Sequence, residues 1–431
     1  MTGLLLCYYG DDLTGSTDVM EALATRGTPT ILFTGIPTAE EAARFPGRRA
    51  VGIAGTSRSE TPAWMDAHLP PVFAWMKESG AALCHYKVCS TFDSSPAVGS
   101  IGRAIDIAAA VFGQACTPLV VGAPELQRYT AFGNLFAHFG PDIFRIDRHP
   151  VMRRHPVTPM DEADLRIHLG RQTEKSIGLV DFLRLKNGLP PEELSRRADA
   201  DAILLFDVLD EETKAATGRH LWSLRSDCRF VAGSSGVEYA LVAEAAGTPL
   251  SGKVRAVPGP GGRGPIAVVS GSCSPTTARQ IRHALENGFA GIPVDPAALA
   301  EGAEPAVRAA LDAAAAALGA GRSPLLYTAL GSADAADAID GHAIGRGLGR
   351  ILAGIVRRHG LGRVVVAGGD TSSHAIKELS ISALELLAPL PGCPGSPLCT
   401  AFLKTEGEEL EIAFKGGQVG TDAYFTIVRD I

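Results

Sequence analysis

The chain has 431 residues, a formal net charge of −7, 46% hydrophobic residues and 20% charged ones. That length exceeds what one hydrophobic core usually serves, so two domains are expected. The acidic balance argues against a nucleic-acid or anionic-membrane partner, because phosphates attract basic surfaces, while leaving room for a local basic pocket around a small anion.

The apolar run at residues 4–9 is too short for a secretory h-region, has no basic flank and meets Asp11 and Asp12 at once. No stretch reaches the length of a bilayer span, and a soluble, cytoplasmic protein is the natural expectation. The 8 cysteines form no CxxC pair. That speaks against a zinc knuckle or a redox motif and for small buried thiols.

In chain order, strands are expected over residues 4–9, 30–33, 50–54, 82–88, 119–121, 202–206 and 230–232. Helices are expected between them, over 17–26, 62–77, 100–112 and 211–224. Such alternation predicts an α/β fold, a mainly parallel sheet with helices on both faces. The stretch 251–265, with Pro258, Pro260, Pro265 and several glycines, has little to bury and reads as a linker. It separates a first domain, 1–250, from a second, 266–431. There the alternation restarts: strand 266–269, helices 276–287 and 304–318, strand 325–328, helix 343–359, strand 364–367 and helix 373–379. Residues 398–403 and 410–414 read as strands joined by a polar turn.

No Walker loop, GxSxG elbow or HExxH helix is present. A GxGxxG match at Gly259, Gly261 and Gly264 precedes a strand instead of following one, the wrong context for a dinucleotide site. The informative segments are the junctions from strand to helix, where open α/β sheets bind ligands and helix N-termini present unpaired N–H groups. In the first domain these are Gly10-Asp11-Asp12-Leu13-Thr14-Gly15, Gly55-Thr56-Ser57-Arg58 and Lys87-Val88-Cys89-Ser90-Thr91-Phe92-Asp93. A helix cap needs one of the two aspartates; the other is free to orient a hydroxyl, accept its proton or meet a metal. Lys87 in an apolar strand points to an anion. In the second domain, Ser270-Gly271-Ser272-Cys273-Ser274, Gly368-Gly369-Asp370-Thr371 and Lys415-Gly416-Gly417 are small-residue loops of the kind that cradle phosphate. Gly233-Ser234-Ser235-Gly236 is a similar loop late in the first domain. His149 and His155 flank a basic run, and nothing marks either as catalytic.

Seven segments, in order along the chain, resemble the four-carbon acid sugar kinases: GDDLTG, YKVCSTFDSS, HPVTPM, GSSG, SGSCSPTTARQI, VAGGDTSS and FKGGQVGTDAYF. The resemblance implies a substrate domain followed by a nucleotide domain, with the active site in the cleft between them. It also implies transfer of the ATP γ-phosphoryl group, assisted by Mg²⁺, to the terminal 4-hydroxyl of threonate, erythronate or 3-oxo-tetronate, leaving ADP. By position, Asp12 and Asp11 become catalytic candidates. Arg58, Lys87, Thr91 and Asp93 become substrate contacts, and Ser234, Ser272, Gly369, Asp370, Thr371, Gly416 and Gly417 nucleotide contacts. The metal ligands are left open, and a homo-oligomer is allowed for. One departure stands out: where the family often has Gly-Arg-Thr, this chain has Tyr129 inserted between Arg128 and Thr130. That change favours a branched acid such as 3-oxo-isoapionate. The rival readings are a nicotinamide-dependent dehydrogenase, which lacks its fingerprint here, and a non-catalytic sensor, which needs neither the acidic pair nor three phosphate-type loops.

Overall fold

A computed structural model describes residues 3–155, 157–331, 341–405 and 407–431, with the backbone alone at Asp370. The chain divides into two compact units, Met1–Ile31 with Gly35–Arg255, and Leu32–Thr34 with Ala256–Ile431. Residues 251–263 form neither helix nor strand.

The first unit is built on parallel strands in the order Ala50–Ala54, Leu6–Gly10, Leu83–Lys87, Phe230–Gly233, Thr117–Val120, Ile203–Phe206, Ile177–Val180. The central strands are buried along their whole length, as a sheet covered on both faces requires. Helix Pro62–Glu78 packs on Ile101–Phe112, and Glu211–Leu224 on Gly236–Val242. Strand Leu6–Gly10 has a neighbour on each side, and later strands run outward in both directions from it. It is therefore a switch point, the place where a parallel sheet opens a crevice at its carboxyl edge.

The second unit repeats that plan. Its parallel strands follow the order Phe289–Pro293, Ser323–Tyr327, Ala267–Ser270, Arg363–Ala367, Glu409–Lys415. Here Ala267–Ser270 is the switch strand. Leu398–Leu403 and Ile381–Ala388 extend the sheet antiparallel. The core gathers Val268, Ile281, Phe289, Leu325, Val365, Tyr424 and Phe425.

The α/β expectation holds, with local corrections. The first helix starts at Leu13, not residue 17, because Asp12 caps it. The helix expected at 373–379 starts at Gly369, so Gly369, Asp370 and Thr371 form its first turn. Both presumed loops are thus shorter, and each helix N-terminus reaches the sheet edge. The expected loop at 124–130 is a short helical turn, Pro124–Leu126, followed by strand Arg128–Ala131.

That strand opens a small antiparallel sheet with Asn134–Phe139 and Asp142–Arg145, which the sequence reading missed. Its first turn uses Phe132 and Gly133, both with positive φ, and Phe132 stands where the usual two-residue hairpin signature has asparagine. Asp207 secures that turn by accepting from the N–H groups of Phe132 (2.6 Å) and Gly133 (3.0 Å). Strand Phe289–Pro293 was also missed; its glycine and proline are tolerated because it lies at a sheet edge. None of the cysteines is in a disulfide. Among the described residues no helix is long and apolar enough to cross a membrane.

Candidate functional site

Strand register assembles the first cluster. Gly10 lies opposite Ala54 on one side and Lys87 on the other. The segments that begin at Asp11, Gly55 and Val88 therefore leave the sheet at one level. The 3₁₀ turn Ser57–Ser59 then carries Arg58 back over the edge. Its Nη1 donates to Asp12 Oδ2 (2.9 Å), and its Nη2 lies 3.1 Å from both oxygens of Asp93. Thr91 Oγ1 also donates to Asp93, and Thr158 Oγ1 donates to Asp93 Oδ2 (3.0 Å). Thr158 belongs to the HPVTPM segment, but no role was assigned to it from sequence. His155 Nδ1 accepts from the Thr158 N–H (3.1 Å) and fixes that turn.

The two adjacent aspartates have different work. Asp12 is the helix N-cap, with Oδ1 accepting from the Gly15 N–H at 2.5 Å. Burial alone would raise its pKa, but Arg58, Lys87 and the Gly15 N–H outweigh burial and hold it below the usual carboxylate value. Asp93 is likewise held low, mainly by Arg58 against the effect of burial. Asp11 points elsewhere. It is 4% exposed, and its Oδ1 is buried with no hydrogen-bond partner among the described residues. Burial, with Asp12 beside it, pushes its pKa up from the ordinary 3.8 to about 7.

Lys87 is buried at the end of its strand. Its Nζ lies so close over Gly15 that a Cβ there would come within 2.7 Å of it. Glycine is needed at 15 for that approach. Lys87 acts electrostatically on Asp11, Asp12 and Asp18.

The second cluster is assembled in the same way. Ser270 pairs with Ala367, and Ala367 with Lys415, so the loops at Gly271, Gly368 and Gly416 leave one sheet edge together. The Gly271 N–H donates to Ala367 O (3.1 Å), and the Gly368 N–H to Lys415 O (2.9 Å). A Cβ on Gly271 would fall 2.3 Å from Thr371 Oγ1, and one on Gly417 would fall 3.1 Å from Ser274 Cβ. Ser272 Oγ bonds Thr277 Oγ1 (3.0 Å), which donates to Gly417 O (3.2 Å).

Beneath them Lys415 is fully buried, with Nζ donating to Thr277 Oγ1 and Gly416 O, each at 2.9 Å. Burial lowers its pKa from 10.5 to about 7. Lys415 and Thr277 were not singled out from sequence; a lysine ending an apolar strand, as at Lys87, was the available signal. The structure thus brings Ser272, Gly369, Thr371, Gly416 and Gly417 together. The side chain of Asp370 lies outside the described residues.

Ser234 belongs to the first unit and is fully buried. Its hydroxyl donates to Val121 O (2.7 Å) and accepts from the Gly236 N–H (2.9 Å), which is a structural task. Among the described residues no group of three His, Cys, Asp or Glu side chains is placed to hold a metal ion.

Comparison with known proteins agrees with this division. Residues 6–241 match a sugar-binding N-terminal domain, and residues 267–425 match a nucleotide-binding C-terminal domain. The chain is 47% identical to a 3-oxo-isoapionate kinase of Paraburkholderia graminis, over 99% of this chain and 94% of that protein. It is 34% identical to a 3-oxo-tetronate kinase of Methylobacterium radiotolerans, over 99% of each. A solved Haemophilus influenzae protein shares the fold at a TM-score of 0.68 and 24% identity, covering 98% of this chain and 99% of that one. With both domain types in order and whole-length similarity to two sugar-acid kinases, the chain belongs to the four-carbon acid sugar kinase family.

Proposed function

We propose that this kinase transfers the γ-phosphoryl group of ATP–Mg²⁺ to the terminal 4-hydroxyl of a small sugar acid in carbohydrate catabolism. The observation that carries the reading is the pairing of two unlike clusters. One is built of ionised side chains, the other of backbone N–H groups and hydroxyls. The first suits a small polar acid, the second a polyphosphate. The 47% identity to a 3-oxo-isoapionate kinase favours a branched acid over a linear four-carbon one.

In this reading the hydroxyl oxygen attacks the γ-phosphorus. The new O–P bond forms as the bond to the bridging oxygen breaks, and ADP leaves with that electron pair. The hydroxyl proton passes to Asp11. A carboxyl with a pKa near 7 and an unsatisfied oxygen matches the demand on a general base at neutral pH. Asp12, ionised and tied to Arg58, orients the base and the substrate instead. Arg58, Thr91 and Asp93 form the wall that shapes the acid site, with Lys87 supplying positive charge beneath it. Ser272, Gly369, Thr371, Gly416 and Gly417 receive the nucleotide, and Asp370 is proposed to join them. Catalysis of this kind rests on positioning and charge neutralisation.

The test is ADP release from ATP–Mg²⁺ by purified protein, across 3-oxo-isoapionate, 3-oxo-tetronate, threonate and erythronate. Turnover is expected with at least one, and with 3-oxo-isoapionate fastest. No turnover on any acid, with nucleotide still bound, rejects the reading.

A further inference from the structure

The first cluster has a charge problem. Arg58 is already paired to Asp12 and Asp93. Lys87 faces Asp11, Asp12 and Asp18. Positive charge here is matched or outnumbered before any substrate arrives. A sugar acid adds another negative charge, and a carboxylate leaving water needs a cation that is not already spent.

One arginine beside this cluster meets that need. Strand Thr117–Val120 ends at the same sheet edge, since Val120 pairs with Gly233 and Gly233 with Lys87. The turn Pro124–Leu126 follows it, and Gln127 takes φ 56° to reverse the chain. Arg128 comes next, its backbone pinned by two hydrogen bonds with Ala123 (2.8 and 3.1 Å). Its Nη1 donates to the carbonyls of Leu126 (3.0 Å) and Gln127 (3.1 Å). Among the described residues, buried Nε has no partner and Nη2 forms no hydrogen bond.

Arg128 forms no ion pair among the described residues. The nearest acid in sequence, Glu125, is taken by the buried Lys214, which also holds Glu211 (2.7 Å). Burial lowers the pKa of Arg128, and the groups that oppose this are Cys89 and Tyr129, not a carboxylate. Cys89 belongs to the same loop as Thr91 and Asp93, and it acts on Arg58 as well. Arg128 is thus a half-spent guanidinium set against the substrate loop, with one edge of its fork unsatisfied.

We propose that the Nε–Nη2 edge of Arg128 receives the carboxylate of the sugar acid and so decides which end of the substrate faces Asp11. This rests on the sugar-acid kinase reading and adds the residue that selects for an acid. A planar fork pairs with a carboxylate through two parallel N–H bonds, which an ammonium does not reproduce.

The experiment compares Arg128→Met and Arg128→Lys with the unchanged full-length chain. It uses erythronate, 3-oxo-isoapionate and the uncharged polyol erythritol, with turnover measured alongside calorimetric binding. Loss of a charge-paired contact predicts a rise in KM or Kd for the acids of roughly 30-fold to 1,000-fold in Arg128→Met. Arg128→Lys should fall between, KM for ATP should stay constant, and the preference for erythronate over erythritol should collapse. Unchanged acid affinity and unchanged preference in either variant overturn the inference. If Arg128→Met does not fold, Arg128→Lys decides by the same criteria. An unchanged chain that binds acids but never releases ADP defeats the kinase reading alone, because the binding comparison still judges Arg128.

Discussion

In the proposed reading the two clusters solve the same problem, holding an anion at a sheet edge, by opposite means. In the first unit four charged side chains, Asp12, Arg58, Lys87 and Asp93, converge with Asp11 around one strand end. In the second, glycines and hydroxyls do the work, and the one described cation beneath them, Lys415, is buried with its pKa lowered. Ionised side chains discriminate by charge and respond to pH. Backbone N–H groups discriminate by shape and respond to added volume. The first cluster should therefore break when a charge is removed, the second when a methyl group is added.

The largest effect should come from Asp11→Asn. Removing the base should lower kcat by about 10² to 10⁴ while leaving ADP binding unchanged. Stability should move the other way. The folded pKa of about 7 lies above the ordinary 3.8, so the folded chain holds a proton that the unfolded chain has lost over that window. Its stability contribution is present below pH 4 and lost as pH rises through 7. Asp11→Asn should accordingly raise the melting temperature at pH 8, by a stability gain on the order of a few kcal/mol, and change it little at pH 4. Full activity in this variant would move the base to Asp12.

Asp12→Asn should cost less in kcat, because asparagine still caps the helix. It leaves Arg58 with Asp93 alone, so acid affinity should shift together with turnover. If Asp12→Asn proves the more damaging of the two, the division of labour proposed for the pair is reversed.

Gly417→Val probes the second cluster. Its side chain would crowd Ser274 and Ser272, and a Cβ alone already lies 3.1 Å from Ser274 Cβ. ADP affinity should fall by roughly 10-fold, about 1.4 kcal/mol, with erythronate binding untouched. Loss of acid binding instead would contradict the separation of the two clusters.

The smallest effect on activity is expected from Lys415→Met, whose readout is stability. With its folded pKa near 7 and its ordinary value 10.5, this lysine makes the chain less stable as pH falls from about 10.5 to 7. The variant should flatten the melting temperature across that range. An unaltered slope would mean that Lys415 stays charged in its buried place.

Much of this was legible in the residues themselves. Apolar runs of four or five residues bounded by Gly, Ser and Asp marked the strands, because a parallel sheet buried on both faces leaves no other pattern. Strands 30–33 and 50–54 and helix 211–224 appear with the expected bounds. The three-stranded sheet at Arg128–Arg145 was not legible, since its turn at Phe132 and Gly133 is held by Asp207, more than seventy residues away. The task of the Ser234 hydroxyl was not legible for a related reason: Gly-Ser-Ser-Gly reads the same whether that hydroxyl faces a ligand or, as here, a backbone carbonyl.

Sequence by itself determined the fold class, the order of the sugar-binding and nucleotide-binding parts, and which loops carry Asp, Arg, Lys and Gly. The fold class and the loops follow from periodicity and local chemistry, which adjacent residues express; the order of the two parts follows from the resemblance of seven segments to the family. Only the tertiary structure decided the individual roles. It made Asp12 the cap and Asp11 the buried acid, tied Arg58 to two carboxylates, and left Arg128 with an open edge. Pairing, burial and the resulting charge states are set by strand register and by neighbours distant in sequence, and no local pattern records them.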